Sequence, residues 1–223
     1  HPESFRLDRS MNEHRLQIGA TLRNHMSYRK FAGETPRILV LRGDYWLDRA
    51  CVHAAEKLGW ACREIPVPMI GHISREAVTE IIQALIGFKP DFVLTINMGG
   101  FDAKGLLAGL FFDLQLPLVS WFVDDPRTIL MQSDVFSSDY AVALSWEPAY
   151  LPYLADRGFA LTAHLPLGVD DTVFNALPKD TFTLPPTFVG NSMTVFSERE
   201  WGWMQEHPAL ANRVQDAFMR RRI

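Results

Sequence analysis

Apolar and polar stretches trade places along this chain with the rhythm of strand followed by helix. From residue 37 onward, apolar runs recur at Arg37–Arg42 (RILVLR), Ala61–Val67, Asp91–Asn97 (DFVLTIN), Pro117–Val123 (PLVSWFV), Tyr140–Ser145 and Leu161–Leu165. Most are continuous rather than alternating, the pattern of parallel strands covered on both faces. Helix-like segments lie between them. Residues 46–58 end at Gly59, and residues 74–86 open at Ser74 and end at Gly87. Residues 103–114 follow Asp102 as a capping residue, and residues 148–157 open with Pro148 and close at Gly158. Small oxygen-bearing residues and proline suit helix starts, and glycine suits helix ends. In the third segment, the Gly105/Gly109 pair predicts a helix lying close on a sheet.

The two ends follow other rules. Residues 1–35 predict an amphipathic helical leader: Ser10 and Glu13 have capping-box spacing, and Ile18, Leu22 and Met26 repeat on one stripe. Such a stripe buries itself against this domain or a partner, so residues 10–30 are a candidate oligomer contact. After Leu165 the prolines at 166, 178, 185 and 186 mark extended chain, with a linker at 169–186. Residues 187–223 then hold a short apolar strand, Thr187–Gly190, a second capping box at Ser197 and Glu200, and a Trp-rich helix broken at Pro208. One strand and one helix cannot bury a core, so this segment either packs back or opens a second domain. The fold class expected for residues 36–168 is α/β, with a doubly wound, mostly parallel Rossmann-like sheet.

Composition narrows the function classes. With 48% hydrophobic residues, 22% charged and a net charge of −4, the chain excludes disordered, collagen-like and disulfide-stapled classes. Its two cysteines, Cys51 and Cys62, are too few for a metal cage and read as reduced thiols of a cytoplasmic protein. Apolar runs such as Leu106–Phe112 are too short to span a bilayer, and no signal-peptide pattern is read at the start. Charge is uneven: residues 1–42 carry eight Lys/Arg against four acids, and the rest carries 14 against 22. A basic leader can touch phosphates, but it lacks interleaved aromatics and any nucleic-acid motif. A solvated helix face is the simpler reading, and nucleic acid is not an expected partner.

In open α/β sheets ligands collect beyond the carboxyl ends of the strands. There the sequence places Asp44 after the first strand, Asn97, Gly99 and Gly100 after the third, and Asp124, Asp125 and Arg127 after the fourth. His72, in the loop after the second strand, is the histidine expected nearest a cleft. The Asp124-Asp125-Pro126-Arg127 run is the sharpest feature. Proline drives the residue before it away from helical backbone, so the chain leaves the strand extended and turns. Asp124 is the candidate catalytic base or sugar-hydroxyl acceptor. Asp125 either binds substrate or caps the next helix, with Arg127 as a candidate partner. Gly99-Gly100 permits either close approach to a ligand or a tight turn. No G-x-G-x-x-G, P-loop, H-E-x-x-H or G-x-S-x-G pattern occurs, so neither a bound cofactor nor a metal is expected.

Taken in order, PDFVLTINMGGFD, PLVSWFVDDPR, YAVALSWEPAYLPYLADRG, LPLGVDDTVF and TFVGNS resemble the amino-terminal half of a GT-B glycosyltransferase. The segment 36–200 is most similar to the CgeB/spore-maturation-like group. The resemblance implies two facing Rossmann-like domains, the first holding a sugar, glycan or protein acceptor and the second a nucleotide sugar as co-substrate. Leu167-Gly168-Val169-Asp170 would then close the acceptor domain, and Phe188-Val189-Gly190-Asn191 would open the donor domain. Asp124 and Asp125 would face the cleft between them. On this resemblance most of a donor domain would lie outside these residues, so sugar transfer by the chain alone is not expected. The alternative is a non-catalytic sugar- or nucleotide-binding or protein-interaction module.

Overall fold

The structure is a computed structural model that describes residues 18–43, 45–68, 73–102, 105–131 and 138–174. The chain divides into two compact units, residues 1–175 and 176–223, and every described residue belongs to the first. Helix α1 (Ala20–Met26) leads into β1 (Arg37–Arg42), α2 (Trp46–Lys57), β2 (Ala61–Pro66), α3 (Arg75–Phe88) and β3 (Phe92–Ile96). Then come α4 (Leu106–Asp113), β4 (Leu118–Phe122), the single turn α5 (Pro126–Ile129), β5 (Ser138–Ser145), α6 (Leu151–Asp156) and β6 (Phe159–His164). Serine 10, Glu13 and the rest of residues 1–17 lie outside the described residues, as do 175–186 of the linker and all of 187–223.

All six strands are parallel, in the order β2-β1-β3-β4-β5-β6. This is the doubly wound Rossmann-like sheet that the sequence pattern predicts. Strand β1, one in from the edge strand β2, buries Ile38 through Leu41 without a gap, because helices cover both of its faces. One face packs on α2, where Ile38 and Val40 meet Val52 and Ala55, and Ile96 and Trp121 meet Leu47. The other face builds the main core with α1, α3, α4 and α6, joining Leu39 and Leu41 to Ile81, Leu85, Phe111, Phe122 and Leu154. The leader stripe joins that core: Met26 is buried, and Ile18 and Leu22 pack beside it.

Some boundaries differ from the pattern. Helix α4 begins at Leu106, three residues later than expected, because Gly105 takes a left-handed φ of +69°. Asp102 still caps it, accepting from the N–H groups of Leu106 (3.1 Å) and Leu107 (3.2 Å). Nothing lies within 4 Å of where a Cβ would stand on Gly105 or Gly109, so this pair makes no close contact with the sheet. Segment 148–157 splits into a 3-10 turn, Pro148–Tyr150, and α6.

At the amino ends of the strands a buried carboxylate ties the leader to the sheet. Asp91 accepts from the N–H groups of Phe31 (2.8 Å) and Arg37 (2.7 Å), and its side chain pairs with the Arg37 guanidinium at 3.3 Å. Burial pushes its pKa up, but the Arg37 side chain and these N–H donors outweigh burial and hold it below the ordinary carboxylate value. Asp91→Ala is expected to cost about 3 kcal/mol, the low end for breaking a buried pair. The low end applies because the Arg37 side chain keeps 36% of its surface in water. A depressed folded-state pKa contributes fully above about pH 4 and is lost as the pH falls further. Denaturant melts of both proteins should therefore differ at pH 7 and converge in acid.

Candidate functional site

In this strand order the chain reverses direction between β1 and β3, which marks the crevice at their carboxyl ends. The described residues that leave β1, β2 and β3 pack against one another there: Gly99 approaches Gly43, and Gly100 N–H donates to Pro68 O (2.9 Å). Asp48, buried in the first turn of α2, accepts from the N–H groups of Gly43 (2.9 Å) and Tyr45 (3.1 Å). Asp44, between them, lies outside the described residues, as does His72. After β3 the chain turns left-handed at Asn97 (φ +50°), Met98 (φ +57°) and Gly100 (φ +84°). Two hydroxyls within the strands secure this turn: Thr95 Oγ1 donates to Gly99 O (2.8 Å), and Ser120 Oγ accepts from Met98 N–H (3.1 Å). A Cβ on Gly99 would stand 3.2 Å from Ile96 O, and one on Gly100 would stand 2.7 Å from Val67 Cγ2. What these two glycines approach so closely is the chain itself.

The expected polar cluster assembles one strand further on. Asn97 is 1% exposed, and its amide bridges β3 and β4. Its Oδ1 accepts from Val123 N–H (2.9 Å) and, more weakly, from Asp124 N–H (3.4 Å), while its Nδ2 donates to Asp124 Oδ2 (2.7 Å). Asp124 itself is exposed. Its carboxylate is thus aimed by a buried amide while one face stays open to water.

Asp125 is bound quite differently. It caps α5, accepting from Arg127 N–H (2.9 Å), and meets the Arg127 guanidinium through two nitrogens, at 2.9 and 2.5 Å. That guanidinium lies 5.2 Å over the Tyr150 ring. The Arg127 hydrogen bond holds the Asp125 carboxyl down at about 2. The structure therefore joins Asn97 to Asp124 and Asp125 to Arg127, while Gly99 and Gly100 lie beneath them in the buried loop.

A second group of residues is brought together by contacts that the sequence reading did not connect. After β6 the chain crosses back over the carboxyl edge as residues 165–174. Trp121 Nε1–H donates to Leu165 O (3.0 Å), His53 Nδ1 lies 2.7 Å from Asp170 Oδ2, and Lys57 pairs with Asp171. Trp46 meets Phe174 edge-on, with ring centres 5.7 Å apart. Hydrogen bonds from the Thr172 hydroxyl and then His53 hold the Asp170 carboxyl at about 2. Under this crossing lies a cleft of about 430 Å³ between α2 and residues 168–171, with Trp121 among its walls. The signal for it was the i, i+4 pair His53/Lys57 together with the adjacent acids Asp170 and Asp171.

Among the described residues no three His, Cys, Asp or Glu side chains converge as metal ligands, and no helix is long and apolar enough to cross a membrane. Compared with protein-family models, curated proteins and solved structures, the chain matches none.

Two substitutions separate backbone from side chain here. Asn97→Gly keeps the positive φ but orphans Val123 N–H, at an expected cost of about 1–3 kcal/mol. Asn97→Ala loses the same bonds and adds left-handed strain of about 1–2 kcal/mol, so urea melts should rank Ala below Gly. Asp125→Ala removes a cap and should cost about 0.5–2 kcal/mol at neutral pH. Because the folded carboxyl titrates near 2, that difference should persist at pH 5 and fade as the pH falls from about 4 toward 2.

Proposed function

We propose that the carboxyl edge around Asp124 binds the hydroxyl groups of a sugar or glycan-bearing acceptor. On this reading the domain is the acceptor-side half of a nucleotide-sugar-dependent glycosyltransferase of the GT-B kind. The observation that carries it is the pairing of an exposed carboxylate with a buried amide, Asn97, at the strand ends of a doubly wound sheet. The W-F-x-D-D-P run that resembles such enzymes supplies Asp124 itself.

The chemistry follows from that geometry. Asn97 holds one carboxylate oxygen and leaves the other to accept a hydrogen bond from an acceptor hydroxyl. As that hydroxyl oxygen attacks the anomeric carbon, its proton passes to Asp124, and the nucleoside diphosphate leaves with the electrons of the broken bond. Asp125 and Arg127 neutralise each other, so Asp124 acts as a lone carboxylate. The donor site and the choice of sugar would belong to a second domain. In the rival reading, a non-catalytic binding module, the same carboxylate holds a sugar without any transfer.

Asp124→Asn tests both readings. The substituted amide can still accept from Asn97 Nδ2, so the melting temperature should hold within about 1 °C. Binding of the acceptor glycan, identified by screening this chain on a glycan array, should weaken at least tenfold in calorimetry. Joined to a donor domain, the variant should lose about 10²–10⁴-fold in transfer, the usual worth of a general base. Unchanged glycan affinity would remove Asp124 from the site. Lost affinity with no transfer by the parent two-domain protein would favour the binding module.

A further inference from the structure

We propose that the cleft between α2 and residues 168–171 is a binding site for a small, uncharged molecule with a flat, apolar, aromatic-sized body. Its volume of about 430 Å³ falls within the range of small-molecule sites. Its walls are mostly apolar: Leu47, Ala50, Ala54 and Leu58 from α2, Val169 from the crossing segment, and Trp121. Alanines at 50 and 54 and glycine at 168 leave room that larger side chains would fill.

The charge pattern selects the ligand class. Every acidic or basic side chain lining the cleft already has a partner, His53 bonded to Asp170 and Lys57 paired with Asp171. An ion entering it would find no free counter-charge. The Trp121 indole N–H is taken by Leu165 O, so the indole offers only its apolar ring. Cys51, also in the wall, is a free thiol that burial keeps protonated. A neutral ring-bearing molecule meets the space, the apolar walls and the aromatic surface together. This site stands apart from the reading of Asp124, and either can fail without the other.

The test uses the full 223-residue chain and N-phenyl-1-naphthylamine, a neutral probe that brightens in apolar surroundings. Saturable binding is expected. The neutral competitor 1-naphthylmethanol should displace the probe at least tenfold more effectively than 1-naphthoate. Ala54→Trp plugs the cleft from an exposed helix position and should weaken the probe at least tenfold, whereas Ala160→Trp on the exposed edge strand β6 should not. Ala50→Phe provides a second plug one turn away, and circular dichroism confirms which variants fold. Absence of saturable binding, a folded plug variant that binds like the parent, or equal competition by naphthoate would overturn the proposal.

Discussion

The carboxyl edge of this domain depends on one buried amide. Where parallel strands end, their last N–H and C=O groups lose their ladder partners and need others. Asn97 meets that need for the chain leaving β4, continuing the β3–β4 pairing through its side chain where the backbone has turned away. Asparagine suits the position on two independent grounds. It tolerates the left-handed φ of +50° better than most residues, and its amide carries both an acceptor and a donor. The acceptor fixes the backbone leaving β4, and the donor fixes the Asp124 carboxylate. Backbone geometry and side-chain chemistry at this edge are therefore one constraint.

The same constraint divides the roles of two adjacent acids. Neighbouring carboxylates repel unless counter-charges or hydrogen-bond donors offset the repulsion, and here proline gives each acid a different partner. Pro126 opens α5 and holds Asp125 in extended backbone, where its side chain reaches the Arg127 N–H and guanidinium. Asp124, one residue earlier, remains within reach of Asn97. One acid is spent on structure and the other is presented to solvent. The Arg127 pair itself is exposed and screened, so its value lies in geometry more than in energy.

The strand and helix rhythm was legible because six apolar runs and their glycine and proline punctuation agree with one another. Boundaries slipped where local punctuation misled: Asp102 caps α4 from outside the helix, and Gly105 delays its start. The Asp125 cap could be read from the D-P dipeptide. The bond between Asn97 and Asp124 could not, since it spans 27 residues and requires knowing that β3 and β4 are neighbours. Thr95 and Ser120 were the overlooked clue. Two hydroxyls in otherwise apolar strands, register partners in the sheet, mark where a buried loop needs polar partners. The leader stripe showed what must be buried, and only the fold shows that α1 buries it on its own domain.

The crossing segment 165–174 follows from unequal cover on the two faces of the sheet. Among the described residues, α1, α3, α4 and α6 share one face, and α2 alone lies on the other, over β1 and its neighbours. Trp121 stands at the margin of that cover, and the returning chain shields it. The segment is held by Leu165 O on Trp121, by the paired acids 170 and 171 on α2 and by Phe174 against Trp46, while Leu167 and Val169 remain exposed. Hydrogen bonds and ion pairs of this kind are individually weak at a surface, and little apolar burial reinforces them. A crossing held at a few points by polar contacts leaves space between it and α2. The cleft is therefore the mechanical consequence of a polar clamp spanning an apolar floor.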